Sequence, residues 1–289
     1  MGGNYSLVDL GKLSKPATVL IEKISSAIGI VYEPHHVRRM ARASADAEKI
    51  RALSQVELTE IQARTFNRLI VQEERKQENI EKITAQAAEA LPNDAKTDDL
   101  SEDWIAHFFK QCDAVSDEQM QSLWASLLAG EATKPGTYSK RTVNFIGGMD
   151  KRDAELFTKF CACVWNIAGP TALVFDHDDQ VYEKMQINFG TLQHLSAIGL
   201  ISLQALGGFE HQRLGKHLRV YYGHRAVNLE FASDNGNSLI LGKSVLTDVG
   251  VQLCSLCKVE QNDEFFDYVL GKWSAKEIII STPIAWTTK

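Results

Sequence analysis

The stretch AEKIRALSQVELTEIQARTFNRLIV (residues 47–71), followed directly by QEERKQENIEKITAQAAEAL (residues 72–91), dominates the organisation of this chain. Residues 37–91 contain neither Gly nor Pro and consist largely of strong helix formers. The sequence therefore predicts one continuous helix over residues 37–91, about 55 residues and about 80 Å long. A helix of this length needs a partner to cover its apolar stripe.

The apolar stripe of this helix predicts an oligomer interface. It does not keep a strict heptad spacing, but it is continuous over the first two thirds of the helix. The predicted interface residues are Ile50, Leu53, Leu58, Ile61, Phe66, Leu69 and Ile70. The polar run QEERKQEN (72–79) is expected to be exposed to solvent or to bridge two lobes. Ile80 and Ile83 resume the stripe, and Pro92 ends the helix.

The composition is that of an ordinary globular protein. The 289 residues are 44% hydrophobic and 24% charged, and the net charge of −6 argues against a general nucleic-acid coat. There is neither an uninterrupted apolar run long enough to cross a membrane nor a secretory signal pattern. Five cysteines, an odd number, fit a reducing compartment. We therefore expect a cytoplasmic protein.

Residues 1–36 predict an amphipathic N-terminal arm. Its helix is expected to start near Pro16 with Ser14 as the N-cap, and to stop at Gly29. Three alternatives stay open for its apolar face: a membrane surface such as the inner face of the inner membrane, a second subunit, or its own domain. The residues of that face are Val19, Leu20, Ile24 and Ile28.

Residues 92–169 predict a helical middle domain, and residues 170–289 a winged-helix-like α+β domain. Ser116, Ser139 and Asp150 are expected to cap helices of the middle domain. Two β-rich runs, 217–233 and 238–247, flank the turn signal DNGN, and Thr247 is expected to cap the helix that follows. With the long helix at 37–91, the predicted fold is mainly α with a C-terminal winged-helix-like α+β domain.

The segments KPATVLIEKISSAIG (15–29), ADAEKIRALSQVE (45–57) and WASLLAGEATKPGTYSKRTVNFIGGMDKRDAELFTKFCACVW (124–165) resemble the bacterial family known as domain of unknown function 2806. The "LWAxLLA" helix at 123–129 and the "xxDAxxF" helix ending at Phe157 resemble, more weakly, the abortive-infection alpha family. The resemblance implies a cytosolic or membrane-peripheral bacterial protein with a role in phage defence. It implies no catalytic residues.

Searches for chemistry along the chain predict no catalytic, cofactor or metal site. Cys161 and Cys163, with Cys254 and Cys257, form the strongest metal candidate, but their apolar neighbours favour buried structural thiols. No nucleophile elbow, phosphate-binding loop or zinc-protease motif is present. One basic patch is predicted to bind phosphates or an acidic protein: Arg213, Lys216, Arg219 and Arg225.

We therefore expect a non-enzymatic interaction or effector protein that forms homo-oligomers and acts in anti-phage defence, with protein partners and a membrane-associating arm. Two alternatives remain. One is a winged-helix DNA-binding regulator, although the expected recognition helix TLQHLSAIGLI (191–201) lacks Arg and Lys. The other is an enzyme whose site is assembled across subunits.

Overall fold

The computed structural model describes residues 14–29, 59–204, 206–257 and 259–282. The chain divides into two compact units, Met1–Gly148 and Met149–Lys289. The boundary predicted between residues 169 and 170 falls inside a β-hairpin of the second unit.

The described part of the first unit is helical. Its elements are α1 (Lys15–Ile28), α2 (Glu60–Ala90), a 3₁₀ turn (Thr97–Asp99), α3 (Glu102–Cys112), α4 (Glu118–Thr133) and α5 (Lys140–Gly147). Side-chain caps define most of the starts, including the predicted Ser14 and Ser139. The start of α4 was predicted one residue early, since the cap is Asp117, whose carboxylate accepts from the backbone N–H groups of Gln119 and Met120.

The prediction of one helix over residues 37–91 is wrong at its N-terminal side. Thr59 has an extended backbone, with φ −61° and ψ 155°, and forms a capping box with Gln62, so α2 begins at Glu60. The other end was predicted correctly, because α2 stops at Ala90, just before Pro92. Residues 37–58 of the predicted helix lie outside the described residues.

An aromatic cluster organises the core of the first unit. Phe108 stacks on Trp104 with ring centroids 5.2 Å apart and meets Trp124 of α4 edge-on at 5.1 Å. The indole Nε1 of Trp104 donates to the backbone oxygen of Tyr138 at 2.9 Å. Helix α1 packs against α3 and α2, and the second half of α2 packs against α4.

The turn after α4 explains why Gly130 and Glu131 stand near the end of this helix. The buried carboxylate of Glu131 accepts the backbone N–H groups of Gly136 at 2.6 Å and Tyr138 at 2.7 Å. The Tyr138 ring then lies against Gly130, where an added Cβ would come within 2.8 Å of a ring carbon. Gly130 is therefore required for this close approach.

The second unit mixes helices and antiparallel sheet. Its helices are α6 (Lys151–Cys161), α7 (Gln180–Lys184), α8 (Phe189–Ala197), α9 (Asp248–Cys254) and α10 (Asp263–Ser274). Its strands are β1 (Val164–Asn166), β2 (Pro170–Ala172), β3 (Ile201–Leu203), β4 (Phe209–Leu214), β5 (His217–Tyr222), β6 (Arg225–Glu230), β7 (Asn237–Gly242), β8 (Ser244–Leu246) and β9 (Ile279–Ser281).

The strands form one larger sheet and two strand pairs. The five-stranded sheet has the order β2-β1-β5-β6-β9, and β3 pairs with β8 and β4 with β7. The first predicted β-rich run is itself a hairpin, because the chain reverses at Gly223 and His224 between β5 and β6. Gly223 has φ +57°, a conformation that glycine adopts readily.

Helix α10 covers the five-stranded sheet through Trp165. The Trp165 ring stacks on Tyr222 at 5.1 Å and on Phe266 at 5.5 Å, and meets Trp273 edge-on at 5.0 Å. The predicted caps Asp150 and Thr247 start α6 and α9. The fold is therefore mixed α+β, which corrects the prediction of a mainly α protein. None of the helices described is long and apolar enough to cross a membrane.

Candidate functional site

The first half of α2 carries apolar side chains that no other described element covers. Ile61 is 65% exposed, Phe66 41% and Leu69 53%, whereas Ile70 is half-buried. Ile61, Phe66 and Leu69 border one shallow depression together with Gln62 and Thr65. We call Ile61, Thr65, Phe66 and Leu69 the α2 stripe. The other predicted interface residues, Ile50, Leu53 and Leu58, lie outside the described residues.

The α2 stripe lies on the face of α2 that is buried further along the helix. Positions 66, 69, 73, 76, 80, 83 and 87 alternate spacings of three and four, which keeps them on one side of a helix. Ile83 and Ala87 of this series are fully buried. The face of α2 that packs on the other helices in its second half is therefore left uncovered in its first half by the elements described. The α2 stripe is this uncovered part.

A polar junction separates the exposed and the buried part of this face. The Lys76 amine lies 3.1 Å from Glu73 and 3.4 Å from Asp113 at the end of α3. The hydrogen bond to Glu73, followed by the charge of Asp113, raises the pKa of Lys76. The predicted polar run 72–79 is thus exposed in its first residues, but Asn79 at its end is buried.

Helix α1 packs within its own unit. Leu20 and Ile24 are fully buried, and Val19 and Ile28 are half-buried. The Lys23 amine donates to the backbone oxygen of Asp98 at 2.6 Å and to that of Leu100 at 3.1 Å, which ties α1 to the 3₁₀ turn. A membrane or a second subunit can reach Leu20 and Ile24 only after α1 detaches.

The four cations of the predicted basic patch do not form one surface. Arg219 pairs across the strands with Asn228, and its Nε donates to Asn228 Oδ1 at 2.8 Å. Arg225 pairs with Tyr222 across the strands and therefore shares its face of the sheet. Tyr222 is three residues after Arg219 on β5, and because successive side chains alternate, Arg219 lies on the opposite face. The Arg225 guanidinium pairs with Asp263 and lies 4.9 Å above the Phe266 ring.

The two remaining cations of the patch lie near the turn between β4 and β5. Arg213 is exposed and has a positive φ of 60°, next to an irregularity in the β4–β7 pairing. The Lys216 amine lies 3.5 Å from Asp234. Arg213 and Lys216 thus lie beside the turn before β5 and Arg219 within β5, whereas the Arg225 guanidinium packs on Phe266 of α10.

Three of the four cysteines considered as a metal site are close together. Cys161 on α6 contacts Cys254 and Cys257, which are one turn apart at the end of α9, whereas Cys163 is fully buried elsewhere. Among the described residues no group of three potential ligands is arranged to hold a metal ion.

The protonation of these thiols is uneven. Burial raises the pKa of the Cys161 thiol well above its ordinary value. The pKa of Cys257 is lowered, because its sulfur accepts hydrogen bonds from Cys161 and from the Thr158 hydroxyl, which lies 3.8 Å away. Burial of Cys257 opposes this effect; it has less influence than the Cys161 hydrogen bond but more than the Thr158 hydrogen bond.

A cavity of about 440 Å³ lies in the second unit between the β4–β7 pair and the end of α10. Trp273, Phe231 and Leu239 supply apolar walls, and Lys276 adds a cation, whereas the amine of Lys272 is paired with Asp179 at 3.0 Å. The lining also includes Ser238 and Glu277.

The chain matches the sequence model of a known protein family. The sequence model of the family described as "Protein of unknown function (DUF2806)" matches residues 63–270, most of both units. No curated protein and no solved structure matches the chain. The weaker similarity to the abortive-infection alpha family is not supported by this match and stays a prediction. The chain belongs to the DUF2806 family, whose description assigns no function.

Proposed function

We propose that this chain is a self-associating interaction protein and that two copies pair through the α2 stripe. The proposal rests on the exposure of Ile61, Phe66 and Leu69. These side chains lie on the same face of α2 as Ile83 and Ala87, which are fully buried in the second half of the helix. A second copy of the same stripe would remove these side chains from water, which is favourable in proportion to the apolar area covered.

Light scattering on the purified full chain tests this proposal. We expect the unmodified protein to be a dimer or a larger assembly, and Leu69→Glu to lower its mass towards that of the monomer. Val71→Glu is the matched control, because Val71 is 55% exposed on the opposite side of α2. A monomeric unmodified protein, or equal loss of mass in both variants, would contradict the proposal.

For the biological setting we propose membrane-linked anti-phage defence at the cytoplasmic face of the inner membrane. Its support is the resemblance to the abortive-infection alpha family and the apolar face of α1. Because Leu20 and Ile24 are buried, α1 must detach before it binds lipid. Co-sedimentation of the full chain with anionic vesicles tests this step, with Leu20→Asp as the variant expected to lose binding. Absence of sedimentation in every condition would rule out a membrane role.

A winged-helix DNA-binding regulator is the second candidate function. Its support is the order α6, α7, α8, β3, the strands β4–β7 and β8, in which β3 pairs with β8 on either side of the intervening strands. Helix α8 would contribute little to DNA binding, since the His194 Nε2 atom is hydrogen-bonded to Asp153 Oδ1 at 2.7 Å. A salt-dependent gel shift with duplex DNA that Arg219→Ala weakens and Arg225→Ala leaves unchanged would favour it. Equal loss in both variants would count against readout by the hairpin.

A further inference from the structure

The second unit brings three thiols together from two separate helices. Thr158 and Cys161 lie three residues apart on α6, and the Thr158 hydroxyl is 3.8 Å from the sulfur of Cys257. Cys254 ends α9, and Cys257 follows one turn later, with its backbone N–H bonded to the Cys254 oxygen at 3.2 Å. One face of α6 therefore meets a thiol pair at the end of α9.

The three thiols differ in their access to solvent. Cys161 is 3% exposed, whereas Cys254 and Cys257 are half-buried. Cys257 is therefore more accessible to solvent than Cys161, which it contacts. An accessible thiol next to a buried one is the arrangement of an attacking and a resolving cysteine, as found where cysteines are oxidised reversibly.

We propose that Cys257 reacts with a hydroperoxide and that Cys161 then closes a reversible disulfide with it. In the first step the Cys257 thiolate attacks the terminal peroxide oxygen, the O–O bond breaks, and the peroxide leaves as alkoxide, which takes up a proton to become an alcohol. The product at Cys257 is a sulfenic acid. With hydrogen peroxide as the oxidant the leaving group is hydroxide, which becomes water.

In the second step the sulfur of Cys161 attacks the sulfenic sulfur of Cys257. The S–O bond breaks, the hydroxyl leaves with the Cys161 proton as water, and the S–S bond forms. The two cysteines together lose two electrons, which reduce the peroxide. A cellular dithiol restores both thiols by exchange, as expected for a disulfide in a reducing compartment.

The protein supplies two groups that favour the first step. The Cys161 thiol donates a hydrogen bond to the Cys257 sulfur and is the largest influence that lowers its pKa. The Thr158 hydroxyl, which also donates to the Ala154 oxygen at 2.8 Å, lies 3.8 Å from the Cys257 sulfur and adds a smaller contribution. The thiolate is the reactive form of a cysteine, so these donors raise the fraction of Cys257 that attacks at neutral pH. Cys161 stays protonated until the sulfenic acid forms, because burial raises its pKa.

Peptide mapping of the full chain after exposure to hydrogen peroxide tests the pairing. The expected product is a linked peptide pair containing Cys161 and Cys257 that dithiothreitol separates. Cys112 and Cys163 are buried and serve as internal controls that stay as free thiols. A disulfide from Cys254 to either partner, or oxidation of Cys257 without any disulfide, would overturn the assignment.

Single substitutions separate the two roles. In Cys161→Ser the sulfenic acid at Cys257 should accumulate and be trapped by dimedone, whereas Cys254→Ser should keep the disulfide. Loss of the disulfide in Cys254→Ser would contradict the proposal.

A conservative variant tests the activation of Cys257 in folded protein. Thr158→Val removes the donor and keeps the side-chain shape. The pH midpoint for alkylation of Cys257 should shift upward in this variant. An unchanged midpoint, with the fold verified by circular dichroism, would refute the role of Thr158.

Discussion

The side-chain amide of Gln121 on α4 donates to Asn79 Oδ1 on α2 at 3.0 Å, and both side chains are buried. Asn79 Nδ2 in turn donates to the backbone oxygen of Asp113 at 2.9 Å, and Gln121 Nε2 also donates to that of Val115 at 2.9 Å. This network joins three helices where the polar run of α2 enters the core. It therefore sets the register of α2 on α4.

Replacing Gln121 by Leu should destabilise the first unit by about 1–3 kcal/mol, because Asn79 and the Val115 oxygen lose their donor in a buried site. Urea unfolding measures this change. Ser122→Ala, on the exposed side of α4, is the control and should change stability by less than about 0.5 kcal/mol. Equal stability of Gln121→Leu and the unmodified protein would mean that water replaces the network.

Replacing Ile24 by Ala should destabilise the first unit by about 2–5 kcal/mol, since the side chain is fully buried and its loss leaves a cavity. Thermal unfolding followed by circular dichroism gives the comparison. Glu22→Ala is the control, because Glu22 is exposed on the same helix and its replacement should leave the melting temperature almost unchanged. If Ile24→Ala is neutral, α1 is not docked in solution as it is here.

Replacing Arg225 by Ala should destabilise the second unit by about 0.5–1 kcal/mol, because the guanidinium covers the Phe266 ring and pairs with Asp263. Arg219→Ala should be close to neutral, since Arg219 is exposed on the other face and bonds Asn228 alone among the partners described. Chemical unfolding of both variants checks this. A larger loss for Arg219→Ala would reverse the assignment of the two faces.

The stability of the second unit should depend on Asp179 at low pH. The Tyr268 hydroxyl and then the Lys272 amine, 3.0 Å away, lower the pKa of the Asp179 carboxyl below its ordinary value of 3.8. A lowered pKa in the folded state stabilises the fold above the unfolded-state pKa, and this contribution is lost as the pH falls through the folded-state pKa.

Asp179→Asn should therefore lower the melting temperature at pH 7, and the difference from the unmodified protein should narrow below about pH 4. Melting curves across that range provide the measurement. Glu183→Gln is the control, because Glu183 is exposed on the same short helix and its substitution should leave the melting temperature unchanged at both pH values. A difference that widens towards low pH would contradict the sign of the effect.

Local sequence signals located many of the element ends. Ser14, Ser139, Asp150 and Thr247 cap helices as predicted, and Pro92 limits α2. The Thr59–Gln62 pair is a helix-start signal within a stretch whose lack of Gly and Pro predicts an uninterrupted helix over residues 37–91. Helix propensity permits a helix to continue, whereas a cap with an extended backbone ends it regardless of propensity.

Apolar spacing could not say which stripes are buried. Leu20 and Ile24 on α1 follow the same helical pattern as Leu69 on α2, yet the first two are buried and the last is exposed. Arg219 and Arg225 looked like one patch until the strand register placed them on opposite faces. The contact of Cys161 with Cys257 joins residues that are far apart in the chain.

Local sequence features predict the helical first half, most of the helix caps and the β-rich second half, because these depend on propensities and hydrogen bonds within a few residues. The docking of α1, the uncovered α2 stripe and the meeting of three thiols are visible only in the folded chain. Those features depend on which elements lie beside each other, and a spacing pattern specifies a face without specifying its partner.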